Sequence, residues 1–206
     1  MGAPVLNGIT CSIDKGEIFG ISGINGIGKT TLVKAISNTF GQENAEVVVD
    51  KMELTKTDLR NLNSMERYEQ GIHTSFEGRR LFGSLTVREN LICASMKGSK
   101  TELDSKIERV VDKIPFIKDI LDRKASLCSG GQQQMVSLAR SIVEPVSLLV
   151  LDEPTLGLSP SSINEIASVL NELIKDSISI LIVEQREKFI DDISTRKYEM
   201  VEGILC

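Results

Sequence analysis

The stretch Gly23-Ile24-Asn25-Gly26-Ile27-Gly28-Lys29-Thr30-Thr31 decides the fold of this chain. It follows a short apolar run at residues 17–22, and the segment after it places Leu32 and Ile36 at helical spacing. A glycine-rich turn that leads directly into a helix points several backbone N–H groups at one place, where the helix N-terminus adds partial positive charge. The sequence therefore predicts a strand, a loop that binds phosphate groups, and a helix.

The residues of this loop have separate chemical tasks. Its glycines let the backbone approach phosphate oxygens, its lysine can reach the β and γ phosphates, and its first threonine can hold Mg²⁺. The alternative, a chance pattern between two elements, is disfavoured by the strand and helix on either side. The predicted nucleotide-binding residues of the loop are Gly23, Asn25, Gly26, Gly28, Lys29, Thr30 and Thr31.

A second element, Leu148-Leu149-Val150-Leu151-Asp152-Glu153, is an apolar run that ends in two carboxylates. Open α/β sheets bind their ligands at the carboxyl ends of the strands. Asp152 is predicted to bind Mg²⁺ together with Thr30, and Glu153 is predicted to orient or deprotonate the water that attacks the γ phosphate. The alternative is a strand that ends in two solvated acids, but the phosphate loop upstream favours the catalytic role.

A third element, Ser129-Gly130-Gly131-Gln132, opens a segment with a helical pattern at 131–143. Two glycines and a hydroxyl at a helix N-terminus can bind a second face of a phosphate group. Nucleotide binding is therefore predicted for Ser129, Gly130, Gly131 and Gln132.

The composition limits the function. The chain has 206 residues, of which 41% are hydrophobic and 26% charged, within the range of one globular domain. A net charge of −5 without a basic run argues against nucleic acid as a partner. The apolar runs are shorter than the roughly 20 residues that span a bilayer, and no signal peptide opens the chain, so a soluble cytoplasmic protein is expected. Four cysteines without CxxC spacing favour reduced thiols.

Strand and helix patterns alternate along the chain, which predicts an α/β fold with a parallel sheet covered by helices. Residues 87–123 have apolar positions at helical spacing and indicate an inserted helical segment. The predicted strands are 17–22, 46–50, 72–75, 147–152, 178–183 and 198–201, and the predicted helices are 29–38, 131–143, 161–175 and 186–193.

The three elements, in this order, resemble the Walker A, signature and Walker B motifs of ATP-binding-cassette (ABC) ATPases. The resemblance implies a P-loop NTPase fold in one domain, 1–206, with a RecA-like core at about 1–76 and 129–206 and a helical lobe at about 77–128. It also implies that two cassettes, identical or different, pair head to tail. Lys29 of one and Ser129 of the other then bind the same ATP.

A finer resemblance lies in Glu77-Gly78-Arg79-Arg80-Leu81-Phe82 and in the LTVRENL stretch at 85–91. Both are similar to an ATPase subunit of importers for branched-chain amino acids, and to related urea and amide subunits. By that resemblance Glu77 replaces the Q-loop glutamine and reaches toward Mg²⁺, and membrane permease subunits hold the protein at the inner face of the cell membrane. The alternative for 77–82 is a solvated charged loop, and Arg79 and Arg80 are left open between a coupling interface and solubility.

The chain departs from the usual cassette pattern at two catalytic positions. Gln185 stands where most cassettes have the switch histidine, so a hydrogen bond to the γ phosphate, without proton transfer, is expected there. The Val-Glu-Gln sequence at 183–185 fits the importer subfamily. Ser159 stands where many cassettes have the aspartate of the D-loop.

Other departures concern base recognition and the termini. Most cassettes place an adenine-stacking aromatic residue before the phosphate loop, but Phe19 is the only aromatic there and is expected in the core. His73 and Cys128 are expected to have structural roles. Tyr198 to Cys206 resemble the penultimate hairpin of the family, so a trimmed or minimal cassette is expected.

Two functions fit these observations. The leading hypothesis is the ATP-hydrolysing subunit of an ABC importer for branched-chain amino acids or a related small polar solute, driven by ATP-dependent pairing of cassettes. The alternative is a nucleotide-binding regulatory cassette with little or no hydrolysis, which the departures at Gln185 and Ser159 suggest.

Overall fold

The computed structural model describes residues 4–40, 48–95 and 98–206. These residues form a six-stranded sheet with the strand order β4-β5-β6-β1-β7-β8, parallel except for β8, and a separate hairpin of β2 and β3. The strands are β1 (Ile18–Ser22), β2 (Glu53–Leu54), β3 (Thr57–Asp58), β4 (Ile72–Ser75), β5 (Leu148–Asp152), β6 (Ser179–Glu184), β7 (Arg196–Val201) and β8 (Ile204–Leu205).

Helices cover both faces of this sheet. The α-helices are α1 (Lys29–Ser37), α2 (Ser64–Glu69), α3 (Val87–Ile92), α4 (Lys100–Lys113), α5 (Gly130–Arg140), α6 (Pro160–Lys175) and α7 (Glu187–Ile193). Short 3₁₀ helices lie at Pro115–Ile120 and Ala125–Leu127. The predicted α/β fold with helices around a mostly parallel sheet is confirmed.

The core has two parts because successive strand residues point to opposite faces of the sheet. Along β5, Leu149 and Leu151 pack with α3, α4, α5 and α6, whereas Val150 packs with β1 and α1 on the other face. Along β6, Leu181 and Val183 join the α1 side. Two apolar faces fix β1, β5 and β6 side by side, so their carboxyl ends meet at one edge of the sheet.

The helical insertion follows β4. In the described part of residues 77–128 the regular elements are α3, α4 and the two 3₁₀ helices. The apolar residues that predicted helix there are largely buried, including Val87, Leu91, Ile107 and Val110. Thr86 and Ser99 cap α3 and α4 by accepting the N–H groups of Glu89 and Glu102. The insertion thus packs against the same core that holds α5.

Some predicted elements differ from the structure. The predicted strand at 46–50 falls partly outside the described residues, and 48–50 form no strand. The β2–β3 hairpin and α2 were not predicted, because both are short and mostly polar. The predicted C-terminal hairpin is present, with Met200 opposite Leu205 and Val201 opposite Ile204.

Candidate nucleotide site

The phosphate loop connects β1 to α1 at the carboxyl edge of the sheet. Gly28 caps α1 with φ 114°, and no described side chain caps this helix N-terminus. A side chain at Gly28 would be strained by this φ and would place its Cβ 3.1 Å from the carbonyl oxygen of Val5. The first N–H groups of α1 are therefore available to an anion.

Lys29 lies at the centre of the site. Its ammonium donates to the carbonyl oxygens of Gly23 at 2.7 Å and Ile24 at 3.1 Å, and it lies 3.3 Å from a carboxylate oxygen of Glu153. The side chain is only 4% exposed. These contacts join the first residues of the phosphate loop to the end of β5.

Asp152 and Thr30 form the acidic side of the site. The Thr30 hydroxyl donates to Oδ1 of Asp152 at 3.2 Å, whereas Oδ2 is buried without a hydrogen-bond partner among the described residues. Burial raises the pKa of Asp152 to about 6, with a smaller increase from the Glu153 and Glu77 carboxylates. A cation bound at Oδ2 would contact the oxygen that lacks a donor and would favour the ionised form that burial disfavours.

Glu153 has an unusual backbone conformation. Its φ is 48°, in the left-handed region, which costs an ordinary residue about 1–3 kcal/mol. Its N–H donates to the carbonyl oxygen of Val183 at 2.9 Å, and its own carbonyl oxygen accepts from the N–H of Leu156 at 3.2 Å. Tertiary contacts therefore maintain a turn that directs Glu153 toward Lys29.

Lys29, Thr30 and Glu153 line one cavity of about 260 Å³, whereas Asp152 and the predicted loop residue Gly23 are not among its described lining residues. The lining of this cavity includes most of the predicted loop residues and the predicted carboxylates Glu77 and Glu153. Leu156 completes it. The lining residues are Asn25, Gly26, Gly28, Lys29, Thr30, Thr31, Glu77, Glu153 and Leu156.

The predicted residues of the third element lie elsewhere. Ser129 and Gln132 cap α5 reciprocally: the Ser129 hydroxyl accepts from the N–H of Gln132 at 3.3 Å, and Gln132 Oε1 accepts from the N–H of Ser129 at 3.0 Å. Gly130 lies beside the Arg79 guanidinium, and Gly131 packs closely on Ser162 of α6. Within one subunit, residues 129–132 do not line the cavity that the described residues form around Lys29.

Gln185 is exposed just after β6 and is likewise absent from the described lining of that cavity. Its neighbour Glu184, for which the sequence patterns predicted no role, is 2% exposed. Glu184 accepts hydrogen bonds from the N–H groups of Gln185 at 2.8 Å and Thr155 at 2.9 Å. A charged residue directly after the apolar run at residues 180–183 was the signal that could have identified it.

The residues expected to be structural are buried. Phe19 is in the core and stacks on Tyr198 with a centroid distance of 5.3 Å, so it is not an adenine platform. His73 Nδ1 donates to the carbonyl oxygen of Ser141 at 2.7 Å, and its ring stacks on Tyr68. Burial raises the thiol pKa of Cys128, which packs in the core.

The described helices all lack the combination of length and apolar character that crossing a membrane requires.

Comparisons with known proteins agree with the geometry. The family profile described as "ABC transporter" matches residues 6–156. The high-affinity branched-chain amino acid transport ATP-binding protein BraG of Pseudomonas aeruginosa is 30% identical over 198 residues, which cover 96% of this chain and 83% of that protein. The probable branched-chain amino acid transport ATP-binding protein LivF of Archaeoglobus fulgidus is 32% identical over 200 residues, covering 97% and 83%.

Solved structures show the same fold. A nucleotide-free ATP-binding cassette from an ABC transporter superposes with a TM-score of 0.87 at 24% identity, covering 98% of this chain and 83% of the other. The ADP conformation of an ATP-binding cassette gives a TM-score of 0.85 at 25% identity with the same coverage. With the matching profile and relatives, the phosphate loop and the carboxylates after β5 place this chain in the ABC transporter family of ATP-binding cassette ATPases.

Proposed function

We propose that this cassette hydrolyses ATP in the cavity around Lys29 to power the import of branched-chain amino acids or a related small polar solute. One observation carries the catalytic part: the uncapped N-terminus of α1, Lys29 and Glu153 meet in one cavity. The solute class rests on the names of relatives such as BraG and LivF. The comparisons favour this transport function over a regulatory cassette without hydrolysis.

In this proposal the phosphates of ATP lie over the N-terminus of α1. The backbone N–H groups of the predicted loop residues donate to phosphate oxygens, and the Lys29 ammonium neutralises charge on the β and γ phosphates. Thr31 follows Lys29 and Thr30 in the first turn of α1, and Asn25 and Gly26 close the other side of the cavity.

The residues present fit Mg²⁺. Asp152 Oδ2 is buried and unpartnered among the described residues, and Thr30 lies beside it. Thr30 and Asp152 would hold the ion, with the exposed carboxylate of Glu77 on the same cavity. When bound, the ion supplies positive charge to the phosphate oxygens.

Hydrolysis is assigned to Glu153 and Gln185. Glu153 lies within reach of the γ phosphate that Lys29 binds, because the two side chains are 3.3 Å apart. It orients or deprotonates the attacking water, which must be in line with the leaving group. Gln185 is proposed to donate a hydrogen bond to a γ-phosphate oxygen from the adjacent strand end.

A second cassette, identical or different, is proposed to complete the site. Residues 129–132 lie outside the cavity of their own subunit, so they are available to the nucleotide of a partner. Ser129, Gly130, Gly131 and Gln132 would then bind the opposite side of the γ phosphate with the N-terminus of α5.

Permease subunits are proposed to dock on the helical side of the molecule. Arg80 and the exposed Phe82 lie just after residue 76, at the proposed junction between a core at 1–76 and 129–206 and a lobe at 77–128. Arg140 of α5 donates to the carbonyl oxygen of Arg80 at 2.7 Å, so this proposed junction contacts α5. Docking there would hold the protein at the inner face of the cell membrane.

The Lys29→Ala variant tests the proposal. We expect Mg²⁺-dependent ATP turnover to fall about 100-fold or more, because a lost ammonium removes charge stabilisation that grows in the transition state. Lys15→Ala, at an exposed lysine before β1, is the matched control and should retain turnover. Unchanged turnover in Lys29→Ala would refute the proposed site.

A further inference from the structure

Glu184 is a buried carboxylate at the carboxyl end of β6, and the catalytic proposal above does not use it. Both of its oxygens accept hydrogen bonds. Oε1 accepts from the N–H of Thr155 at 2.9 Å and from the Thr155 hydroxyl. Oε2 accepts from the N–H groups of Gln185 at 2.8 Å and Arg186 at 3.3 Å.

These donors belong to the two loops that carry the proposed catalytic side chains. Thr155 is two residues after Glu153, in the turn closed by the bond from the Leu156 N–H to the Glu153 carbonyl oxygen. Gln185 follows Glu184 directly. The Glu184 carboxylate thus joins the backbone just after Glu153, which is proposed to orient water, to the backbone of Gln185, which is proposed to contact the γ phosphate.

The geometry of this junction suits a carboxylate and not an amide. Each of the four groups around Glu184 uses its N–H or O–H to donate, and only a carboxylate accepts on both oxygens. A glutamine at this position would turn an NH₂ group toward an N–H donor and leave that buried donor without an acceptor. Charge-assisted bonds are also the stronger kind, so the arrangement resists displacement.

The strained backbone at Glu153 needs support from the surrounding structure, and the Glu184 junction provides part of it. Glu153 has φ 48°, and such a conformation persists only where the surroundings enforce it. The N–H of Glu153 is held by Val183, the residue before Glu184. Val183 therefore fixes the turn just before Glu153 and Glu184 fixes it just after.

We propose that Glu184 is a positioning residue for ATP hydrolysis: it locks the Glu153–Thr155 turn to the Gln185 loop, so that both side chains address the same γ phosphate. In this proposal Glu184 acts only through the backbone and hydroxyl donors of these two loops. The inference rests on the proposed function, because Glu153 and Gln185 must act in hydrolysis for their alignment to matter.

The experiment compares Glu184→Gln with Glu17→Gln in steady-state ATP turnover, equilibrium ATP binding and thermal unfolding. Glu17 is the matched control: it is also buried, but it lies at the amino end of β1 and pairs with Arg196. We expect Glu184→Gln to lower kcat about tenfold or more with ATP affinity changed less than about twofold, since small misplacements of catalytic groups are costly. Glu17→Gln should leave kcat per folded molecule unchanged.

Thr155→Val provides a second variant that keeps Glu184 and removes only the hydroxyl donor. It should lower kcat in the same direction, and the double variant Glu184→Gln/Thr155→Val should lose less than the product of the single effects. If Glu184→Gln folds, an unchanged kcat in that variant would overturn the inference. If it does not fold, an unchanged kcat in Thr155→Val would overturn it. Parallel losses of ATP binding and kcat would also overturn it. Wild-type protein that binds ATP and pairs with a second cassette but does not hydrolyse ATP would instead refute the proposed function.

Discussion

The N-termini of α1 and α5 have similar sequences and different structures. Both begin with glycines, and both were predicted to bind phosphate. At α1 the cap is Gly28 in a left-handed conformation and no described side chain occupies the N-terminus, whereas at α5 Ser129 and Gln132 cap the helix themselves. The first terminus faces Lys29 and Glu153, and the second lies outside their cavity.

The N-terminus of α1 is thus open to a ligand, whereas the N-terminus of α5 is capped by its own side chains. An uncapped helix end is costly unless something satisfies its N–H groups, so α1 is built for an anion. The capped end of α5 is stable by itself and still presents the two glycines after Ser129. This division agrees with a composite site in which α5 serves the nucleotide of a partner.

The largest effect is expected from adding a methyl group at Gly28, the cap of α1, compared with Gly130, the first residue of α5. Gly28→Ala should weaken ATP binding about 10- to 100-fold, because the left-handed backbone is strained by about 1–3 kcal/mol and the methyl group approaches Val5. Gly130→Ala meets only the mobile end of Arg79 and should leave binding to the isolated chain unchanged. Equal losses of ATP affinity in the two variants, measured by titration, would contradict the proposed difference between the N-termini of α1 and α5.

A smaller effect is expected from Gly131→Ala, inside the first turn of α5. The new methyl group would overlap the Ser162 side chain, and overpacking of this kind costs about 1–3 kcal/mol of unfolding free energy. Ser162→Ala in the same protein should recover part of the loss, because it removes the Oγ that would lie 2.3 Å from the new methyl group but keeps the Cβ at 2.9 Å. Denaturant unfolding measures both variants, and a double variant that recovers nothing would argue against close packing of α5 on α6.

Removal of the α5 cap should cost less. Ser129→Ala should lower the unfolding free energy by about 1 kcal/mol and also reduce ATP turnover, because the same residue is proposed to serve the partner site. Thr86→Ala removes the equivalent cap of α3 and should give a similar stability loss with normal turnover. Identical turnover in the two variants would remove Ser129 from the composite site.

The smallest change in stability is expected at the other end of α5, where Nδ1 of His73 donates to the carbonyl oxygen of Ser141. Burial lowers the pKa of His73, so below about pH 6.5 the unfolded chain takes up a proton that the folded chain does not. His73 should therefore contribute full stability above this pH and lose it as pH falls, by less than about 1 kcal/mol between pH 8 and 6. His73→Gln should show a shallower pH dependence of unfolding, and an identical one would refute this.

The sequence predicted the large elements and the chemistry of the site, because both depend on local patterns. The predicted strands β1, β5 and β6 and the predicted helices α1 and α6 are present in the fold, with ends shifted by at most one residue. The short β2–β3 hairpin and α2 were missed, since a few polar residues carry little periodic signal.

What the sequence could not predict depends on tertiary contacts. The left-handed φ of Glu153 is enforced by a bond to Val183 on another strand. Glu184 and Thr155 are 29 positions apart and meet only when β5 and β6 pair. The separation of residues 129–132 from the Lys29 cavity likewise follows from the packing of α5, and helix-terminus chemistry alone gave both termini the same role.

The most direct measurement of the central claim is steady-state Mg²⁺-dependent ATP turnover by the purified chain and its Glu153→Gln variant. The account predicts turnover by the wild-type protein, a fall of about 100-fold or more in Glu153→Gln, and retained ATP binding in both, because Glu153 acts on the attacking water and not on nucleotide affinity. Equal turnover by the two proteins would contradict the account.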